Sequence, residues 1–321
     1  MVLGVVGEVM KTKTPGIRFI VTSACNYDCT YCHNEWEPKR GPISGLESAL
    51  IKELIVSAKE LGAKEVDITG GEPLLQIDRV EAILNTAKEL DIWTNLTTNG
   101  YLLDKYKDRL VQAGLREMHI HIPSLDSKKY SNLMKGNSDL ARVLSPLPRL
   151  SGLIEVVKAN IPIMPGINDN EIPQMLDYFS NLGITPRFIE SMSTASYSAK
   201  EQRVFDELIK DRLSDAKLKG SYLWGINEYS SEKGNFETLR CICFDRKCDI
   251  CPETNFIHID QDYKIRPCNL RQFRIQAEQG KTGEALKKAL GFLKQQTGAP
   301  DQYKKLWGNR YIPLVLAGKT K

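Results

Sequence analysis

Three cysteines stand within eight residues, Cys25, Cys29 and Cys32 in the stretch CNYDCTYC, and thiolates at that density are ligands for soft metals. Converging from one short loop, they fill three coordination positions and leave a further one open, where a reacting molecule can bind. Structural zinc is four-coordinate and closed, and this loop holds no fourth thiol; His33, directly after Cys32, is the alternative fourth ligand. The other five cysteines form a second clump, Cys241, Cys243, Cys248, Cys251 and Cys268. A chain of 321 residues buries a core large enough to need no staples, so clumped thiols read as metal ligands in a reducing compartment. No run of eighteen apolar residues and no signal-peptide order of regions is present, which points to a cytoplasmic protein without a membrane partner.

Elements must hold these residues. β-branched and apolar runs recur as IRFIVT (17–22), EVDIT (65–69), WTNLTT (93–98), EMHIHI (117–122), LIEVVKA (153–159) and PRFIE (186–190). Helical periods lie between them, as in 47–62, where Leu50, Leu54, Ile55, Ala58 and Leu61 share a stripe that Gly62 stops, and in 78–90, with Asp78 as a candidate N-cap. Strand followed by helix, six times, predicts an α/β fold with a parallel sheet. Six units are too few for a closed eight-stranded barrel, so the expectation is a partial (β/α)6 TIM barrel with chemistry at the C-terminal strand ends. The cysteine loop follows the first strand, as that rule requires.

After about residue 214 the rhythm changes to loops, cysteines and a hairpin, NFIHIDQDYKIRPC, turning at Asp260-Gln261-Asp262. The expected division is a barrel over 1–214 and a small cysteine-rich subdomain over 215–321 with a basic helix (about 281–296) and tail. The formal charge is +4, and residues 281–321 hold nine Lys and Arg against two Asp and Glu. That excess reads as a solvated helical face or as a contact for an anionic surface. A metal-binding protein that contacts nucleic acid is the non-enzymatic alternative, and the open cysteine triad speaks against it. His119 and His121 alternate on one strand face, where they are either hydrogen-bonded core residues or general bases, His121 being the better candidate.

C-x3-C-x2-C after the first strand, with Tyr31 just before the third cysteine, resembles the radical S-adenosylmethionine (SAM) enzymes. The resemblance implies that Cys25, Cys29 and Cys32 hold a [4Fe-4S] cluster that binds SAM, and that a reductant such as flavodoxin or ferredoxin supplies the electron. It further implies cofactor contacts from Gly70, Gly71 and Glu72 in ITGGEP, from Thr98 and Asn99 in TTNG, and from His121 and Ser124. Tyr31 and Trp36 flank the cluster as shielding or stacking rings.

Over roughly residues 14–270 the chain also resembles the GTP 3′,8-cyclase family, in TTNGYLL, AGLREMHIHIPSLDSKKYSNLMKG, GINDNEIPQMLDYF and PRFIESM. Cys248, Cys251 and Cys268, spaced C-x2-C-x16-C against the family's C-x2-C-x13-C, resemble ligands of a twitch or SPASM auxiliary [4Fe-4S] cluster, with Cys241 or Cys243 as the fourth. A structural four-cysteine zinc site is the alternative there. Five thiols suffice for one auxiliary cluster. Arg18, Lys158 and Arg187 match basic residues of the family's substrate pocket, but Glu65 and Asp67 stand where it has two basic residues before the glycine pair. Residues 255–259, NFIHI, with Phe256 and His258, replace a stretch carrying two arginines, and the chain ends LAGKTK where the family has a double glycine. Losing four cations from one pocket disfavours GTP. Glu65 and Asp67 share a strand face, and either pair with neighbouring cations or receive an amine or guanidinium of the substrate.

The expected function is hydrogen abstraction from a small polar molecule, a nucleoside, nucleotide, amino sugar or amino acid, in a biosynthetic pathway. Cyclisation, epimerisation, decarboxylation and dehydrogenation share that first step and are not separated. A maturase of ribosomally made peptides and an authentic GTP 3′,8-cyclase are the alternatives. Only some sixteen residues precede the first strand, which speaks against a leader-binding domain.

Overall fold

The six expected segments are six strands in the computed structural model, which describes residues 16–32, 47–190, 205–221, 225–239, 256–268 and 273–295. In chain order they are β1 (Ile17–Ile20), β2 (Glu65–Thr69), β3 (Trp93–Thr98), β4 (Glu117–His121), β5 (Val156–Ile163) and β6 (Thr185–Glu190), all parallel and adjacent in sequence order. Helices α1 (Ser48–Glu60), α2 (Ile77–Glu89), α3 (Leu103–Ala113), α4 (Ser127–Met134), α5 (Leu140–Leu144), α6 (Leu147–Leu150) and α7 (Ile172–Asn181) connect them. β5 starts three residues later than its apolar run suggests, because Leu153 and Ile154 both donate their N–H to Leu150 O at 2.9 Å and extend the preceding turn. Asp78 lies in the first turn of α2 but does not cap it; Gln76 takes the cap position without a side-chain bond.

The strand residues separate by parity. Phe19, Ile68, Leu96, Ile120, Ile161 and Phe188 are buried in the core that also holds Leu54 and Ile55 of α1 and Val80 and Leu84 of α2. Each fully buried aliphatic or aromatic side chain contributes roughly 1.5–3 kcal/mol, so this face carries the stability. The residues between them, Arg18, Asp67, Asn95, His119, Lys158, Asn160 and Arg187, are polar or charged. Sheets with helices on both faces are apolar on both faces, so a polar face marks this sheet as one that encloses a site.

Beyond residue 205 the chain supplies α8 (Phe205–Arg212), β7 (Lys217–Ser221), β8 (Ile226–Ser231), β9 (Gly234–Leu239), β10 (Ile257–Ile259), β11 (Lys264–Arg266), β12 (Ile275–Gln276) and α9 (Thr282–Lys294). The expected 260–262 turn joins β10 to β11. β7, β8 and β9 were not foreseen: KLKGS and GNFETL carry too few β-branched residues, and the strands are held by pairing and by Tyr229 stacked on Phe236 at 5.0 Å. The strand order is β12-β11-β10-β1-β2-β3-β4-β5-β6-β9-β8-β7, an open sheet in which β10 pairs parallel to β1 and β9 parallel to β6. The segment after residue 214 thus borders both edges of the six-stranded unit. Among the described residues no helix is long and apolar enough to cross a membrane.

Candidate active site

The cysteine loop leaves β1 and is pinned to α4: Asp28 N donates to Met134 O at 3.1 Å and Thr30 N to Leu133 O at 2.9 Å. Cys25 and Cys29 are half-buried, Cys32 is exposed, and none of them is in a disulfide. Among the described residues no three His, Cys, Asp or Glu side chains are grouped to hold a single metal ion. Three thiols on one anchored loop fit a polynuclear iron-sulfur cluster as a donor set, since the irons of a cluster each take their own thiolate. The Tyr31 hydroxyl lies 2.9 Å from His121 Nε2 and 3.1 Å from Met134 Sδ, and its ring sits 5.5 Å from the His121 ring. Burial, and then the Cys29 thiol beside it, hold the Tyr31 phenol well above its ordinary pKa, so it stays neutral.

The exit of β2 is bound to the base of this loop. Gly71 N donates to Thr22 O at 2.7 Å and Glu72 N to Ala24 O at 2.8 Å. A Cβ on Gly70 would stand 2.5 Å from Thr22 O, and one on Gly71 2.2 Å from Ala24 O, so the described close approach of the glycine pair is to backbone. Glu72 is fully buried and accepts from Leu74 N at 3.0 Å, Thr98 Oγ1 at 2.7 Å and Asn99 N at 2.8 Å. Burial outweighs these three bonds and raises its carboxyl to about 7. Asn99 Nδ2 reaches Asn26 Oδ1 at 2.8 Å and Cys25 Sγ at 3.8 Å, which joins Glu72, Thr98, Asn99 and the first cysteine in one chain of contacts. Ser124 stands apart from that chain: fully buried, it donates to Glu171 Oε2 at 2.8 Å.

Below the loop, register brings the polar strand residues into a row. Arg18 is opposite His258 on one side and Asp67 on the other, Asp67 is opposite Asn95, and Asn95 opposite Glu117. His119 is opposite Lys158, Asn160 opposite Arg187, and Arg187 opposite Glu237. Arg18 hydrogen-bonds Asp67 through Nε and lies over the Phe256 ring at 4.8 Å, while Glu65 accepts from Asn95 Nδ2 at 2.7 Å. Lys158 Nζ bridges Glu117 Oε1 at 3.1 Å and Glu237 Oε1 at 2.9 Å, and Arg187 Nε donates to Glu237 Oε2 at 2.6 Å. Glu117 also contacts His119 Nε2 at 2.8 Å and accepts from Trp93 Nε1 at 3.0 Å.

Burial, with Arg187 adding to it, lowers His119 to about 4, so its imidazole is neutral at pH 7. Burial acts to raise the Glu117 and Glu237 carboxyls, but the partners of each, His119 and Lys158 for the first and Arg187 and Lys158 for the second, hold both below the ordinary carboxylate range. His258 is pushed well below its ordinary value by burial and then by Arg18 and Arg266. Three buried atoms of this row have no hydrogen-bond partner among the described residues: Asn95 Oδ1, Asn160 Oδ1 and His258 Nδ1.

The structure brings together Arg18, Glu65, Asp67, Lys158, Arg187 and His258 on one face, and Tyr31, Thr98, Asn99 and His121 near the cysteine loop. Cys268 follows β11 and is not in a disulfide, whereas His33, Trp36, Cys241, Cys243, Cys248 and Cys251 lie outside the described residues. Sequence reasoning missed Asn95, Glu117, Asn160 and Glu237. Glu117 was within reach, since it alternates with His119 and His121 on β4; Glu237 was not, because only the pairing of β9 with β6 puts it beside Arg187.

A partial parallel barrel with a three-thiol loop after its first strand defines a class, and residues 19–179 match the Radical SAM superfamily. The chain belongs to the radical SAM superfamily and is an enzyme with radical SAM chemistry, which implies a [4Fe-4S] cluster and SAM. Within it, the chain is 30% identical over 280 residues to a probable GTP 3′,8-cyclase of Archaeoglobus fulgidus, covering 85% of this chain and 92% of that protein. It is 32% identical over 267 residues to the GTP 3′,8-cyclase of Nautilia profundicola, covering 80% and 81%. Among solved structures it is similar to Streptococcus suis SuiB bound to S-adenosylmethionine, with a TM-score of 0.65 at 16% identity over 88% of this chain and 68% of that one.

Proposed function

We propose that the chain abstracts hydrogen from a small polar molecule, a nucleoside, nucleotide, amino sugar or amino acid, held against the polar face below the cysteine loop. The observation that carries this reading is a row of buried acceptors with no partner among the described residues: Asn95 Oδ1 and Asn160 Oδ1 can accept from N–H or O–H donors, and His258 Nδ1 lies on the same face. A substrate rich in amino and hydroxyl groups supplies such donors. Cys25, Cys29 and Cys32 would hold the cluster, and Glu72, through Thr98 and Asn99, fixes the loop beside Cys25. When bound there, the cluster and SAM supply a 5′-deoxyadenosyl radical that takes a hydrogen atom from the substrate. His119, held neutral by burial, and the Tyr31 hydroxyl, 2.9 Å from His121 Nε2, border that position. Cys248, Cys251 and Cys268, with Cys241 or Cys243, would hold one auxiliary cluster.

GTP itself is the second reading, favoured by the two cyclase relatives and by Arg18, Lys158 and Arg187 standing in one row. Structures at 16% identity share the fold and do not bear on a peptide substrate. Anaerobic reconstitution with SAM and dithionite tests both readings. Formation of 5′-deoxyadenosine that is stimulated by an amino- or hydroxyl-rich small molecule, with deuterium transferred from it, supports the first. Stimulation by GTP alone replaces it with the second. Replacing Cys25, Cys29 and Cys32 by Ala should abolish 5′-deoxyadenosine and leave about four irons per chain in the auxiliary cluster; zinc in their place would remove the auxiliary-cluster assignment.

A further inference from the structure

Two cations of the polar face come from neighbouring strands, and each already has a carboxylate. Lys158 Nζ lies 3.1 Å from Glu117 and 2.9 Å from Glu237, and Arg187 Nε lies 2.6 Å from Glu237. All four side chains are mostly buried, with side-chain exposures of 16% for Lys158, 8% for Arg187, 13% for Glu117 and 10% for Glu237. Every carboxylate oxygen is engaged: Glu117 Oε1 by Lys158 and His119, its Oε2 by Trp93, and the two of Glu237 by Lys158 and Arg187. The group therefore balances two positive charges with two negative ones. A partly buried cation attracts an anionic ligand only to the extent that its charge is not already compensated, and like charges in such surroundings are weakly screened. A polyphosphate entering here would meet two fixed carboxylates along with the cations.

We propose that Glu117 and Glu237 are specificity-determining residues that neutralise Lys158 and Arg187, exclude polyphosphate from the substrate face, and leave it to a substrate of low net charge. This rests on the reading of that face as the substrate site and narrows it. Glu237 is contributed by a strand outside the six-stranded unit, so substrate choice is set in part by the segment that closes the β6 edge.

The test measures binding of inorganic tripolyphosphate to the anaerobically reconstituted full chain by isothermal titration calorimetry, in wild type, Glu117→Gln, Glu237→Gln, the double variant, and the double variant carrying Lys158→Ala. Folding is checked by circular dichroism. The expected result is no submillimolar binding by wild type, a gain of at least tenfold in the double variant, and loss of that gain with Lys158→Ala. Submillimolar binding by wild type that Lys158→Ala removes overturns the proposal. So does a folded double variant without a gain, or a gain that Lys158→Ala leaves intact. If the glutamine variants fail to fold, wild type against Lys158→Ala decides: the absence of Lys158-dependent binding supports the proposal and its presence overturns it. Because this measurement needs no turnover, it is independent of whether any small molecule stimulates 5′-deoxyadenosine formation.

Discussion

Glu72 has three hydrogen-bond donors aimed at its carboxylate and, among the described residues, no cation beside it, an arrangement that satisfies the group without neutralising it. Its folded pKa of about 7 exceeds the ordinary 4.5, so the folded state holds the proton more tightly than the unfolded state. Wild-type stability relative to Glu72→Gln should therefore be highest below pH 4.5 and fall as pH rises to 7, by about 3 kcal/mol in total. Denaturant midpoints of both proteins at pH 5 and pH 8 check this, and a difference that does not change with pH would refute it. The ITGGEP stretch drew attention in the sequence from its place after a strand and its resemblance to a cofactor-contacting element. The structural work of its residues, bonding the exits of β2 and β3 to the loop around Cys25, is tertiary and had no local signal. The same holds for Ser124, whose buried partner Glu171 is 47 residues away.

At the scale of elements, the cysteine loop owes its position to its neighbours. β2 exits under it through Gly70 and Gly71, α4 holds Asp28 and Thr30, and the β10-β11 turn reaches it through Gln261, whose Oε1 accepts from Ser23 N at 2.7 Å. Gln261 is buried, and Arg79 Nη1 donates to its carbonyl at 2.9 Å. Gln261→Ala leaves the buried Ser23 N–H without that acceptor and should cost about 1–3 kcal/mol in a denaturation experiment. Gly71→Ala places a methyl against Ala24 O and should lower the iron bound by the first cluster, read by iron analysis in a background lacking the auxiliary cysteines. Unaltered iron would show that the loop base yields. The six parallel strands were readable because each is a short β-branched and apolar run set between helical periods. β7 to β9 were not, since their identity comes from cross-strand partners.

For the whole molecule, the segment after residue 214 pairs with both ends of the parallel unit, β10 with β1 and β9 with β6. Unpaired edges of a sheet invite association with other chains. A chain ending at residue 214 should therefore be recovered mainly as aggregate, whereas a folded monomer by size-exclusion chromatography would show that 1–214 stands alone. The change of rhythm and the second cysteine clump suggested a division near 214, but periodicity says nothing about which edge a later strand joins. Synthesis runs from the N-terminus, and Ser23 meets Gln261 across 238 residues. At about 5–20 residues per second, roughly 10–50 s separate the emergence of the cysteine loop from the emergence of the turn that seats it. Through that interval the thiols and the outer edge of β1 are open to oxidants and to neighbouring nascent chains, so the yield of active enzyme in the cell should depend on translation speed and oxygen exposure as well as on iron supply.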